Sequence, residues 1–174
     1  MKAGRLSVVI AMAATTAIAQ PATLKAPLVG VGFLVGDWKG DGKVANTGGN
    51  STGTSHMTVA ADGWMLLRQD HTQTFDASGK TTEGFSQTIL VYPEAGTLHA
   101  DYGDGEGHVI PYASAAVTPG RSVVFTAPPS ATGPDFQLSY ALTRPDDLAV
   151  DFGMLLPGSG PIHRIARCIL HRAR

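Results

Sequence analysis

The amino-acid sequence predicts an all-β protein of short antiparallel strands, arranged as a barrel or a sandwich. Three observations predict it. Turn signals rich in Gly and Pro punctuate the chain at fairly even intervals. The segments between them alternate apolar and polar residues with a period of two. No stretch beyond the N-terminal region carries a long helical period, and many short strands with regular turns form sheets that pack or close.

The first element is an export signal over residues 1–19. Lys2 and Arg5 precede an uncharged run of mostly apolar residues that ends in Ala17-Ile18-Ala19, the small-x-small pattern of a cleavage site. Pro21 disfavours continued helix. The run is short for a membrane span, and no Cys follows it to take a bacterial lipid anchor. The expected mature chain, 20–174, has 155 residues, enough for one domain with a sizeable core. Its expected location is the periplasm or the exterior, with no stable membrane anchor.

Removing Lys2 and Arg5 from the 13 basic residues leaves 11 against 14 acidic ones, a formal charge of −3. There is no basic run with interleaved aromatics, so nucleic acid is not an expected partner. Cys168 is the only cysteine, so no internal disulfide can form, and its apolar-rich strand reads as a buried, inert thiol.

Residues 28–35 can form a helical turn or two, and 38–44 read as the first strand. Residues 46–51 read as a polar loop. Alternation then appears over 54–60, 64–75, 84–92, 97–102, 108–117 and 122–127. Two runs are clearest. Phe136, Leu138, Tyr140 and Leu142 alternate with polar or small neighbours, and so do Leu148, Val150, Phe152 and Met154. Arg144-Pro145-Asp146-Asp147 joins them into a hairpin, and both apolar sets are expected to face inward. A last strand covers about 162–171.

The segment Phe33-Leu34-Val35-Gly36-Asp37-Trp38-Lys39-Gly40-Asp41-Gly42 resembles the opening of lipocalin-like (calycin-type) bacterial barrels. It is similar, more weakly, to the opening of nitrobindin-type haem-binding barrels. In both, a helical turn precedes a Gly-x-Trp-x-Gly-x-Gly strand. Trp38 would fill the tapered closed end while the glycines let the strand bend. The stretch from Leu98 to Tyr112 resembles the central aromatic hairpin of the same families. The resemblance implies a single closed antiparallel barrel of about 8–10 strands with a short N-terminal helical turn. It also implies a lumen for a small apolar or amphipathic molecule. The nitrobindin likeness would put haem in the lumen, with His163 at the start of the last strand on the iron.

Catalytic motifs are absent. There is no Gly-x-Ser-x-Gly elbow, since Gly158-Ser159-Gly160 sits between prolines and reads as a turn. There is no His-Glu-x-x-His and no paired-Cys zinc pattern. Asp101, Asp104, Glu106 and His108 read as a solvated hairpin tip rather than a metal site. The ligand-facing residues expected of a binding barrel are Trp38, Met65, His71, Phe125, Phe136, Tyr140, Phe152 and Met154. His71 is the expected polar group of the lumen, because Met65, Leu67, His71 and Phe75 would share one strand face. The alternative function is a small isomerase, cyclase or hydrolase using lumen His and Asp residues. No cofactor is required by the binding reading.

Two geometric expectations complete the reading. Closure would pair the last strand with the first and bring Arg167 or Arg172 over the Trp38 ring. A two-residue turn at Asp104-Gly105 would place Asp101 opposite His108.

Overall fold

The computed structural model describes residues 23–44, 49–129, 134–155 and 161–173. The expected signal segment 1–19, residues 46–48 of the expected polar loop and Gly158-Ser159-Gly160 lie outside the described residues. A helical turn, α1 (Ala26–Val29), and a 3₁₀ turn (Gly32–Leu34) lead into eleven strands. They are β1 (Gly36–Val44), β2 (Asn50–Ala60), β3 (Met65–Phe75), β4 (Thr81–Glu94), β5 (Thr97–Asp104), β6 (Val109–Tyr112), β7 (Ser114–Thr118), β8 (Ser122–Thr126), β9 (Asp135–Arg144), β10 (Asp147–Leu155) and β11 (His163–Arg172). One antiparallel sheet contains them all, in the order β6-β5-β4-β3-β2-β1-β11-β10-β9-β8-β7. The architecture is all-β, a nearly closed barrel with a short N-terminal helical turn.

The order joins the two ends of the chain. β1 pairs with β11 from Trp38↔Arg172 to Val44↔Ala166, so neither strand is left as an edge. The Arg172 guanidinium carbon sits 4.1 Å from the centroid of the Trp38 ring, as closure led us to expect. Arg172 also donates to the carbonyls of Val35 at 2.9 Å and Phe33 at 3.1 Å. Phe33 is within the 3₁₀ turn and Val35 directly follows it, so Arg172 caps the end of that turn. Gly36 makes room for this clamp: its φ is +130°, and a Cβ there would meet Arg172 Nη1 at 2.6 Å. The glycine of the Gly-x-Trp motif therefore serves the arginine as well as the backbone bend.

The remaining seam lies between β6 and β7, which are the two halves of the single strand read over 108–117. β6 pairs with β5, and β7 pairs with β8. Between them, Ala113 N–H donates to the Thr126 carbonyl at 3.1 Å. The chain thus changes partner at one residue. β7 also lies against β5, so the sheet curls back on itself. With β6 and β7 counted as one bent strand, ten staves surround the lumen.

Apolar side chains close one end. Leu28, Val31 and Leu34 are completely buried, in one cluster with Trp38, Leu66, Val91 and Leu98. Trp38 Nε1 donates to the Leu34 carbonyl at 2.8 Å, which ties the plug to β1. Gly120 N–H donates to the Gly30 carbonyl at 2.7 Å from the β7–β8 turn. The two clear apolar runs pair as expected, Leu148↔Leu142, Val150↔Tyr140, Phe152↔Leu138 and Met154↔Phe136. Leu138, Tyr140, Leu148 and Val150 are buried.

The β5–β6 turn departs from expectation. Gly103 pairs with Val109, Tyr102 with Ile110 and Asp101 with Pro111, so Asp101 does not face His108. The turn is longer because Asp104 organises it. Its Oδ1 accepts the N–H groups of Glu106 at 3.0 Å and His108 at 2.9 Å. Side-chain capping of two backbone donors outweighs the tighter Asp-Gly turn.

Candidate functional site

The open end of the barrel leads to a cavity of about 640 Å³ bounded by the inner faces of β1 to β5 and β9 to β11, with Tyr112 of β6. Near the mouth it is lined by Thr72, Thr74, Phe75, Thr82, Phe85 and Phe152. Deeper in, Ile89, Leu138, Val150, Cys168 and Leu170 make the walls. Gly40 and Gly42 leave the β1 wall thin. A Cβ on Gly40 would meet the Ile169 carbonyl oxygen at 2.2 Å, so this close approach admits only glycine.

A polar belt lies across the cavity floor. Arg68 and Asp70 are only 6% and 8% exposed, and both line the cavity. They stand two residues apart on β3, so both point inward. The Arg68 guanidinium pairs with the Asp70 carboxylate and donates to the Tyr140 hydroxyl. Its Nε donates to Ser55 Oγ at 3.0 Å, and its guanidinium carbon lies 5.1 Å from the Tyr140 ring centroid. Two ions removed from water cost several kcal/mol each, and their attraction offsets this only where hydrogen bonds complete the set.

The set is incomplete. Asp70 Oδ1 and the Tyr112 hydroxyl are buried and have no hydrogen-bond partner among the described residues, although both residues line the cavity. An orphaned buried polar group costs about 1–3 kcal/mol. Burial pushes the Asp70 carboxyl above its ordinary range, and the Arg68 guanidinium and Ser55 hydroxyl pull it down only in part. Burial also pushes the Tyr140 phenol up to about 12 against the pull of Arg68, and it raises Tyr112 further. Both phenols are neutral at ordinary pH and so remain hydrogen-bond donors.

Aromatic rings fix this floor from behind. Phe125 is fully buried, with its centroid 6.3 Å from both the Tyr112 and Tyr140 rings. A second polar chain enters from the side. Gln87 Nε2 donates to the Tyr102 hydroxyl at 2.9 Å, and that hydroxyl donates to Asp104 Oδ2 at 2.9 Å. Gln87 and Tyr102 both line the cavity, so the β5–β6 turn is tied to the lumen wall.

The structure distributes the sequence-predicted residues unevenly. Phe152 lines the cavity, and Phe136 stacks on it at 5.6 Å with a 12° interplanar angle. Trp38, Phe125 and Tyr140 are buried behind or below the cavity rather than on its surface. Tyr140 acts through Arg68, which it orients. Met154 is half-buried and is not part of the lining.

The facing of β3 is reversed from expectation. Leu66, Arg68 and Asp70 are the buried set, and His71 is exposed on the outer face with Met65 and Leu67 in its register. His71 is therefore not the polar group of the lumen. Hydropathy by itself places charges in water, whereas Ser55 on β2 and Tyr140 on β9 make Arg68 and Asp70 tolerable inside. A bulge between Gln73 and Phe75 then returns Phe75 to the cavity. The pattern that could have flagged the pair is opposite charge at i and i+2 on one strand face.

His163 is exposed at the start of β11, and no histidine lines the cavity among the described residues. The lumen offers no imidazole to an iron, so these residues do not fit the haem reading. They equally offer no His–Asp pair for acid–base chemistry. Cys168 lines the cavity, but burial pushes its thiol up to about 11, partly countered by Arg68, so it is a weak nucleophile. At the β5–β6 turn, ligand atoms of Asp104, Glu106 and His108 lie within 4.8 Å of one another. The Asp104 oxygens already accept two backbone N–H groups and the Tyr102 hydroxyl, with His108 Nδ1 3.0 Å away. That arrangement builds a turn and leaves little for a cation.

No protein-family model matches the chain, and no curated protein does. Among solved structures, the chain is similar to the S-type phycobiliprotein lyase CPES from Guillardia theta. Identity is 9%, the TM-score is 0.48, and the match covers 82% of this chain and 89% of that one. It is also similar to EF1p2_mFAP2b bound to DFHBI, at 13% identity and a TM-score of 0.41, covering 83% of this chain and 98% of that one.

Proposed function

We propose that this protein is an exported binding barrel that holds a small amphipathic molecule in its lumen. One observation carries the reading: a cavity of about 640 Å³ with apolar walls is also lined by buried polar groups, Arg68, Asp70 and Tyr112, of which Asp70 Oδ1 and the Tyr112 hydroxyl have no hydrogen-bond partner among the described residues. Apolar walls supply affinity, and a few fixed polar groups supply orientation. Export rests on the signal pattern of residues 1–19, and N-terminal sequencing of the protein secreted by its host should begin at Gln20.

Ala166 lies on β11 at the mouth and lines the cavity. Ala166→Trp should fill the entrance without touching the floor. A neutral solvatochromic dye such as Nile red should bind the unaltered protein with a blue-shifted emission, and the variant should bind it at least tenfold more weakly. Equal binding by both proteins would place the dye on the outer surface and remove the lumen reading.

A further inference from the structure

We infer that Gln87 selects the ligand: its side-chain carbonyl oxygen accepts a hydrogen from the molecule in the lumen, and Tyr102 and Asp104 are positioning residues that keep that oxygen free. The molecule then belongs to a class with an N–H or O–H donor on an apolar body. This rests on the binding reading above and specifies its chemistry.

Strand alternation brings Gln87 to the lumen. Along β4, Phe85, Gln87 and Ile89 occupy alternate positions and all line the cavity, while Ser86 and Thr88 between them are exposed. Tyr102 lies on the neighbouring strand, where it pairs with Ile89, and it lines the cavity too. A glutamine amide has a donor end and an acceptor end, and either can face a ligand. The hydrogen bonds behind Gln87 decide which end does.

They start at Asp104, whose carboxylate can only accept. Its Oδ1 takes the backbone N–H groups of Glu106 and His108, and its Oδ2 lies 2.9 Å from the Tyr102 hydroxyl. Tyr102 therefore gives its one hydrogen to Asp104, and its oxygen can only accept from Gln87. Gln87 accordingly turns its nitrogen toward Tyr102, at 2.9 Å. Burial and Asp104 both push the Tyr102 phenol upward, so it keeps the hydrogen that sets this polarity. What remains for the lumen is the Gln87 oxygen with both lone pairs, against one leftover N–H. That oxygen has no partner among the described residues and, unlike Asp70 Oδ1 and the Tyr112 hydroxyl, it is not sealed off. A donor entering between the apolar walls leaves its water behind and needs such an acceptor, whereas a molecule without a donor gains nothing from it.

Indole and benzofuran have nearly the same shape and differ in carrying a ring N–H or a ring oxygen. Both are titrated calorimetrically at pH 7 into the full protein. Indole should bind at least about fivefold more tightly. Gln87→Met, which keeps the side-chain length, should abolish that preference by weakening indole, with benzofuran held within about twofold. Tyr102→Phe leaves the Gln87 oxygen in place but frees the amide to turn, and should shrink the preference to about twofold or less. A merely structural effect of either change would weaken both probes alike. Benzofuran binding the unaltered protein as tightly as indole, or a preference that survives Gln87→Met, would overturn the assignment of Gln87. A preference undiminished in Tyr102→Phe would overturn the positioning role of Tyr102 and Asp104. If both probes bind and Ala166→Trp blocks them, the lumen reading survives these failures. Failure of both probes to bind would remove both readings.

Discussion

Arg172 shows how much one side chain can carry in a closed sheet. It covers the Trp38 ring, holds the carbonyls of Phe33 and Val35, and sits where the last strand meets the first. The ring contact contributes on the order of 1 kcal/mol, and each hydrogen bond from a charged donor about 1–2 kcal/mol. Arg172→Ala should therefore destabilise the protein by about 3–5 kcal/mol in urea unfolding. Arg172→Lys should recover less than half of that, because an ammonium cannot span two carbonyls and stack on a ring together. An unchanged unfolding midpoint for Arg172→Ala would mean that the clamp is not part of closure. Tyr140 belongs at this scale too, since its buried ring and hydroxyl serve Arg68 and not the cavity surface.

At the scale of elements, the β5–β6 turn is held by one carboxylate. Hydrogen bonds from His108, Tyr102 and Glu106 outweigh the desolvation of Asp104 and hold its carboxyl down at about 2. A depressed carboxylate stabilises the fold above its unfolded value, near 3.8, and that contribution is lost as pH falls toward 2. Asp104→Ala should lower stability at pH 7 by about 1–2 kcal/mol and flatten the acid limb of the stability profile between pH 4 and 2. A profile parallel to that of the unaltered protein would show that Asp104 does not carry this turn. Asp101→Asn should have little effect on the turn, since Asp101 faces Pro111 and not His108.

At the scale of the whole molecule, the interior contains a charge pair that hydrophobic residues would serve better for stability alone. Arg68→Met leaves Asp70 buried without a counter-charge and should cost about 3–5 kcal/mol. The double change Arg68→Met with Asp70→Val should recover most of that loss in urea unfolding. A double variant as unstable as the single one would show that the pair is structural. Asp70 also acts on pH dependence with the opposite sign to Asp104. Its carboxyl is raised by burial, so the folded state binds the proton more tightly than the unfolded chain does. Its cost is present above the raised value and is relieved as pH falls through the window down to 3.8.

Local chemistry alone determined the all-β class, and the resemblance carried by the segment around Trp38 pointed to closure. Turn residues cut the chain, the period of two marked the strands, and Gly36, Trp38 and the arginines of the last strand marked the join. The turns and the alternation are set by neighbours within a few residues, whereas the join brings together the two ends of the chain. The lumen was decided by tertiary structure. Leu66 and Leu67 are both apolar, so alternation cannot choose which face of β3 turns inward. Arg68 and Asp70 go inside because Ser55 on β2 and Tyr140 on β9 wait for them there. Those partners are 13 and 72 residues away from Arg68 in the chain, and no local pattern records that they meet. Hydropathy assigns a charge to water by default. Only the closed barrel brings together the groups that make its burial affordable.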